Sequence, residues 1–221
     1  MDMKDAIRER HSVRKYIDRT LEKKTAASLQ TEIDACNEKS NLHIQLVMDE
    51  PKAFGNFLVH YGRFSGVTNY IALIGKENDE ERLGYYGERI ALLAQTLGLN
   101  TCWVAATFGK GAAQKHCVIG QDEKLVCVIA LGYGAIPGTA HKSKPLEDLY
   151  RAGADIPAWF KMGMEAAALA PTAMNQQNFL FTLTGNTVKA ESTGGRYSNL
   201  DLGIVKYHFE IGAGSGNFKW A

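Results

Sequence analysis

The chain has 221 residues, 45% hydrophobic and 22% charged, and its 25 basic against 24 acidic groups leave a net charge of +1. That composition predicts an ordinary soluble globular protein of one domain or two small lobes. It excludes an overall field that would attract nucleic acid or an anionic membrane, so any anion site must be a local cluster.

The opening MDMKDAIRERHS alternates charged with apolar residues and lacks the apolar core of a signal peptide. No stretch approaches the roughly 20 apolar residues needed to cross a bilayer, and the expected location is cytoplasmic. Residues 2–10 are expected to form a short helix and Leu21–Cys36 a longer one, with apolar positions at Leu21, Leu29 and Ile33. Leu42–Met48 alternates as a strand, and Tyr70–Ile74 is a compact apolar strand. Glu80–Leu97 reads as a long helix ended by Gly98 in the position of a C-terminal glycine. Asn100–Ala105 is a predicted strand, Lys110–Cys117 a short helix and Lys124–Leu131 a buried strand, followed by a Gly-, Pro- and Lys-rich loop over 132–145.

Pro157 opens a helix reaching about Leu169, stopped by Pro171-Thr172 because the residue before proline is pushed out of the helical region. Phe179–Leu183 and Val188–Glu191 read as a hairpin through Gly185-Asn186. Leu202–Ile211 is a predicted helix and Asn217–Trp220 a final strand. The class is therefore α+β, or α/β with a mixed sheet.

The four cysteines (36, 102, 117, 127) form no C-x-x-C pair, and the plain reading is buried free thiols. The six histidines (11, 43, 60, 116, 141, 208) have no ligand-like spacing, so no structural metal is expected. The chain also echoes itself. Glu88-RIALLAQTLGLNTCWVA parallels Leu202-GIVKYHFEIGAGSGNFKWA, each with a helix, a glycine break and a strand bearing Trp103 or Trp220. This suggests two lobes, 1–150 and a shorter 151–221, forming one compact unit; any α/β chain yields some such echoes.

Three clusters carry chemistry. Arg10-His11-Ser12-Val13-Arg14-Lys15-Tyr16 puts four cationic or potentially cationic groups and a hydroxyl where the first helix ends. Arginine forks match phosphate oxygens and a serine hydroxyl can bond a sugar or phosphate, although a basic turn at a helix C-terminus also simply suits the dipole. Lys142-Ser143-Lys144-Pro145-Leu146-Glu147 sets two lysines on a stiffened, extended segment, or else on a solvated surface loop. Ala170-Pro171-Thr172-Ala173-Met174-Asn175-Gln176-Gln177 is rich in amides and free of charge, as the edge of a neutral heteroaromatic ring requires, or is a turn with incidental polar residues.

Together these blocks resemble the nitroreductase family of FMN flavoproteins. The R-H-S-V-R-K-Y run is similar to the family's opening signature, whose basic residues and serine hold the FMN phosphate and ribityl chain. Leu97-GLNTCWV resembles the junction leading to the flavin N5. Leu131-GYG followed by Lys142-Ser143-Lys144-Pro145-Leu146 resembles the late strand and second phosphate clamp, and 170–177 the amide loop against the isoalloxazine ring. The resemblance implies FMN contacts from Arg10, His11, Ser12, Arg14, Lys142, Lys144, Pro171, Thr172, Ala173, Asn175 and Gln177. Backbone contacts from Ala105 and Ala106 near N5 follow in the same way, and spacing alone adds Arg63 at the ribityl or pyrimidine edge.

Two departures stand out. The amide loop, early in ordinary members, lies here in the second half, while the early position holds Glu38-Lys39-Ser40-Asn41-Leu42. Ala105-Ala106-Thr107 stands where many relatives have an acid and a glycine, which leaves substrate and cosubstrate preference open. The resemblance thus extends to a two-lobed, internally duplicated branch of nitroreductases. There the first lobe grips the phosphate, the second supplies the ring loop, and one chain with one FMN mimics the usual dimer, as a monomer or weak homodimer.

The implied activity is FMN-dependent NAD(P)H oxidation, passing hydride through N5 to a nitroaromatic- or quinone-type acceptor. Such a cofactor performs the chemistry itself, and no side chain is singled out as catalytic. The alternatives are a non-catalytic FMN carrier or redox-sensor module, and a duplicated scaffold whose flavin site has decayed.

Overall fold

A computed structural model describes residues 1–55 and 61–221. Among them the chain forms two compact units, one of residues 9–79 and 89–140 and one of residues 1–8, 80–88 and 141–221. Each carries its own four-stranded sheet, the first antiparallel and the second mixed, so the fold is α+β.

The antiparallel unit orders its strands β1 (Gln45–Val47), β2 (Asn69–Gly75), β4 (Lys124–Gly132), β3 (Asn100–Val104). The continuous apolar runs become the two central strands, and β2 is buried at every position. Tyr70, Ala72 and Ile74 alternate into a core with Val104, Val128 and Ala130, while the intervening Ile71 and Leu73 are equally buried on the other face. Helix α2 (Lys23–Ser40) runs one turn past the apolar stripe and stops at Asn41, whose left-handed backbone (φ 55°) closes it. Helix α3 (Glu80–Thr96) ends as its sequence promises, with Gly98 at φ 79° and its N–H donating to Gln95 O. The short α4 (Lys110–Gln114) follows β3.

The mixed-sheet unit begins with α1 (Met3–Glu9), whose last residue passes into the other unit. Its sheet order is β5 (Tyr150–Arg151), β6 (Phe179–Thr184), β7 (Thr187–Ser192), β8 (Lys219–Trp220). The expected hairpin is present, with Thr184 opposite Thr187 and Gly185 at φ 59° in the turn, where only glycine avoids strain. The outer strands β5 and β8 are two residues each and pair in parallel; β5 falls in a polar stretch with no periodicity to betray it. Helices α5 (Ala158–Ala167) and α6 (Ser198–Ala213) cover the sheet. Helix α6 starts four residues before the apolar run suggests, because Ser198 and Asp201 are buried too.

Aromatic side chains fill this core. Phe181 stacks on Phe209 at 4.8 Å, and Phe160, Phe218 and Trp220 meet Phe209 edge-on or tilted. Glycines let the helices close. A Cβ on Gly163 would meet the Phe209 ring at 2.6 Å, and one on Gly203 would meet Glu81 O at 1.8 Å.

All four cysteines are free thiols. Burial pushes Cys36 up to about 12 and Cys117 up to about 11, and raises Cys102, which makes them poor nucleophiles. Of the six histidines, His60 lies outside the described residues.

Candidate functional site

The basic cluster folds entirely within the antiparallel unit. Past α1 the chain runs extended: Ser12 bridges Thr101 of β3, Lys15 bridges Ser65 and Tyr16 bridges Gly134. Two anchors fix this path. Val13 and Tyr16 point into the core, and the Tyr16 hydroxyl donates to Val13 O at 2.7 Å and Ala130 O at 3.3 Å. Arg14 between them is exposed, with its guanidinium 5.9 Å above the Phe64 ring. Arg10 is 3% exposed.

The Ser12 hydroxyl hydrogen-bonds the buried Cys102 thiol. Burial raises that thiol, and Arg14, the Ser12 bond and Arg10 oppose it in that order. His11 and Ser12 are backed so closely by the 134–140 loop that a Cβ on Gly138 would lie 2.5 Å from His11 Cβ. Arg63 is exposed with left-handed backbone (φ 57°), two residues from the Ser65 that pairs with the Arg14 segment. Ala105 and Ala106 form the bend directly after β3.

The lysine segment and the amide loop come together within the mixed-sheet unit. Lys142 O accepts from Asn175 Nδ2 at 2.8 Å and from Gln177 Nε2 at 3.0 Å. Lys144 N–H donates to Gln177 Oε1 at 2.8 Å, and Lys144 Nζ donates to Gln177 O at 3.1 Å. Gln177 Nε2 also donates to Asn175 Oδ1 at 3.0 Å, so this 2%-exposed amide spends both its donor hydrogens inside the unit. In the same segment, which forms a strap along the loop, His141 Nε2 and Ser143 Oγ both lie against Ala168 O, at 3.0 and 2.9 Å. Lys142 and Lys144 remain exposed.

The loop backbone is strained. Met174, Asn175 and Gln177 have φ of 51°, 56° and 48°, three left-handed non-glycine residues within four positions. Such a path persists only where it is over-determined. Gln177 N–H donates to Thr172 Oγ1, Asn175 N–H to Thr172 O and Gln176 N–H to Ala173 O, each at 3.0 Å. Beneath it, Ala173 N–H faces both carboxylate oxygens of Asp201 at 3.0 Å. Burial pushes the Asp201 carboxyl up to about 7 against the lowering effect of that N–H.

Sequence alone did not single out Asp201 or His141. One signal was available for Asp201: an acid set directly between Leu200 and Leu202 at the start of an apolar run. Among the described residues, no group of three or more His, Cys, Asp or Glu side chains is arranged to hold a metal ion, and no helix is long and apolar enough to cross a membrane.

The family model described as "Putative TM nitroreductase" matches residues 2–213. The chain belongs to that family. No curated protein matches the sequence. Among solved structures, the chain is similar to a putative nitroreductase from Thermotoga maritima, 21% identical, with 96% of this chain covering 83% of that one at a TM-score of 0.67. It is also similar to a putative nitroreductase in complex with FMN from Desulfovibrio desulfuricans, 18% identical over 71% of this chain and 98% of that one, TM-score 0.54. A putative NADH dehydrogenase/NAD(P)H nitroreductase from Parabacteroides distasonis is 20% identical over 67% of this chain and 96% of that one, TM-score 0.54. At these identities the likeness is one of fold, and the fold is that of the nitroreductases.

Proposed function

We propose that this nitroreductase-family chain binds one FMN and uses it to oxidise NAD(P)H, reducing an electron-poor acceptor of the nitroaromatic or quinone type. The observation that carries the reading is the 171–177 loop, an uncharged, amide-rich, strained segment fastened to a strap that exposes two lysines. Backbone strain of this kind gathers at ligand clamps, and a flavin asks for cations at one end and neutral donors and acceptors at the other.

The residues present fit that group. Arg10, His11, Ser12 and Arg14 would hold the phosphate and ribityl chain, with Arg63 at the ribityl or pyrimidine edge and Lys142 and Lys144 adding charge. Pro171, Thr172, Ala173 and Asn175 would line the ring, with Ala105 and Ala106 offering backbone N–H groups. Gln177 contributes by holding the strap and the loop together. When bound, FMN supplies acceptance of hydride from NAD(P)H and its transfer onward. The lysines and arginines favour negative charge on the bound group, as preorganised cations do. No side chain is assigned a proton-transfer step, and water or a nearby hydroxyl suffices. The similar Desulfovibrio structure holds FMN and the Parabacteroides protein is described as a putative NADH dehydrogenase/NAD(P)H nitroreductase, which supports the same reading.

The deciding experiment is the visible spectrum of the purified chain, titrated with FMN and then reduced anaerobically with NADH or NADPH. About one FMN per chain, bleached by a nicotinamide, is the expected result. Binding without bleaching would turn the reading to a flavin carrier or redox sensor, and no binding would end it.

A further inference from the structure

Helix α6 sets an acid between apolar neighbours in its first turn. Asp201 is 5% exposed, and Leu200 and Leu202 on either side are buried with it. A carboxylate in a helix's first turn normally caps that helix or faces water. Here both oxygens are directed instead at one N–H outside the helix, that of Ala173, at 3.0 Å. Ala173 immediately precedes the left-handed residues Met174 and Asn175.

From Ala173 the neighbouring residue Thr172 begins a set of hydrogen bonds that leads to the lysine strap. Thr172 takes the Gln177 N–H, the Gln177 side chain takes Lys144 N–H and donates to Lys142 O, and Lys144 Nζ returns to Gln177 O. Losing one of these links leaves a polar group unsatisfied, which favours forming them as a set.

We propose that Asp201 is the positioning residue of the ligand-facing elements in this unit. By gripping the Ala173 N–H it holds the 171–177 loop in its left-handed path, and through Gln177 it sets where Lys142 and Lys144 stand. The assignment rests on the flavin reading above for its consequence, but its structural half is independent of any ligand. Asp201 touches no cofactor itself and acts through the loop.

The test compares Asp201→Ala and Asp201→Asn with the unsubstituted full chain. Hydrogen exchange of peptides spanning 171–178 and 141–146 is read in cofactor-free protein, and FMN affinity and the visible band of bound FMN are read in a titration. Removing the acceptor leaves the Ala173 N–H without its partner, which costs about tenfold in an equilibrium, so Asp201→Ala should speed exchange in both peptides and weaken FMN by about tenfold. Strands β2 and β4 should keep their protection and the flavin band should shift. Asparagine retains a carbonyl acceptor and should restore most of the protection, which separates the two variants even where alanine lowers overall stability. Unchanged exchange in both peptides, or acceleration spread through the whole unit in both variants, overturns the assignment. If the unsubstituted chain binds no FMN, the flavin reading fails while the exchange result still decides the role of Asp201.

Discussion

His208 Nε2 lies 2.9 Å from Glu88 Oε1, with both side chains wholly buried, and His208 Nδ1 faces Ala166 O at 3.1 Å. One ring nitrogen thus meets a carboxylate and the other a carbonyl. The contact joins α3, α5 and α6 in the mixed-sheet unit. Removing one partner of such a pair leaves an uncompensated polar group in the core. His208→Leu should therefore destabilise the chain by about 3–5 kcal/mol, read as a lower urea midpoint. Replacing Glu88 and His208 together by leucine should recover most of that loss, since the pair's own desolvation is then removed as well.

The crossing of α3 with α6 is set by backbone approach. A Cβ on Gly203 would stand 1.8 Å from Glu81 O, and one on Gly84 would stand 2.0 Å from Leu200 O. Neither obstacle is a flexible side chain, so the helices must part to admit a methyl group. Gly203→Ala and Gly84→Ala should each lower stability by about 1–3 kcal/mol or more, despite alanine's better helix propensity. Thermal unfolding followed by circular dichroism measures this, and an unchanged midpoint would contradict the packing.

Asp201 gives stability a pH dependence of definite sign. Its carboxyl rises from 3.8 in the unfolded chain to about 7 in the folded one. Below 3.8 it is protonated in both states and its favourable contribution is complete. Between the two values the folded state keeps a proton that the unfolded chain has lost, and the contribution declines by about 1.4 kcal/mol per pH unit until it is gone above about pH 7. Asp201→Asn does not titrate. The stability of the unsubstituted chain relative to this variant should fall steadily as pH is raised from about 4 to 7. Urea midpoints of both proteins across that range supply the comparison, and parallel profiles would rule the titration out.

Gln177 ties the amide loop to the strap with two side-chain hydrogen bonds and makes a third to Asn175 within the loop. Gln177→Leu fills the space but abandons Lys144 N–H and one donor to Lys142 O. We expect a loss of about 1–3 kcal/mol in stability. FMN affinity should fall further than it does for Lys142→Ala, because both lysines and the loop are released together. Fluorescence titration against the two variants tests the order.

Much of the fold was legible in the sequence, because apolar period, glycine placement and proline stops are local signals. The runs at 70–74 and 124–131 became the buried central strands β2 and β4, Gly98 ended α3, and Gly185 turned the hairpin, all through backbone preferences that each segment carries alone. Composition likewise sufficed to mark the 10–16, 142–144 and 170–177 segments as chemically distinctive. What tertiary structure decided was which polar groups answer one another. The two-residue strand β5 exists only because β6 offers it a free edge. Gln177, read from sequence as a ring contact, is committed to Lys142 and Lys144 more than thirty residues away. Asp201 lies under Ala173 and His208 against Glu88 for the same reason. A buried donor or acceptor must find a partner, and which partner is within reach is settled by how distant segments pack, not by the residues beside it in the chain.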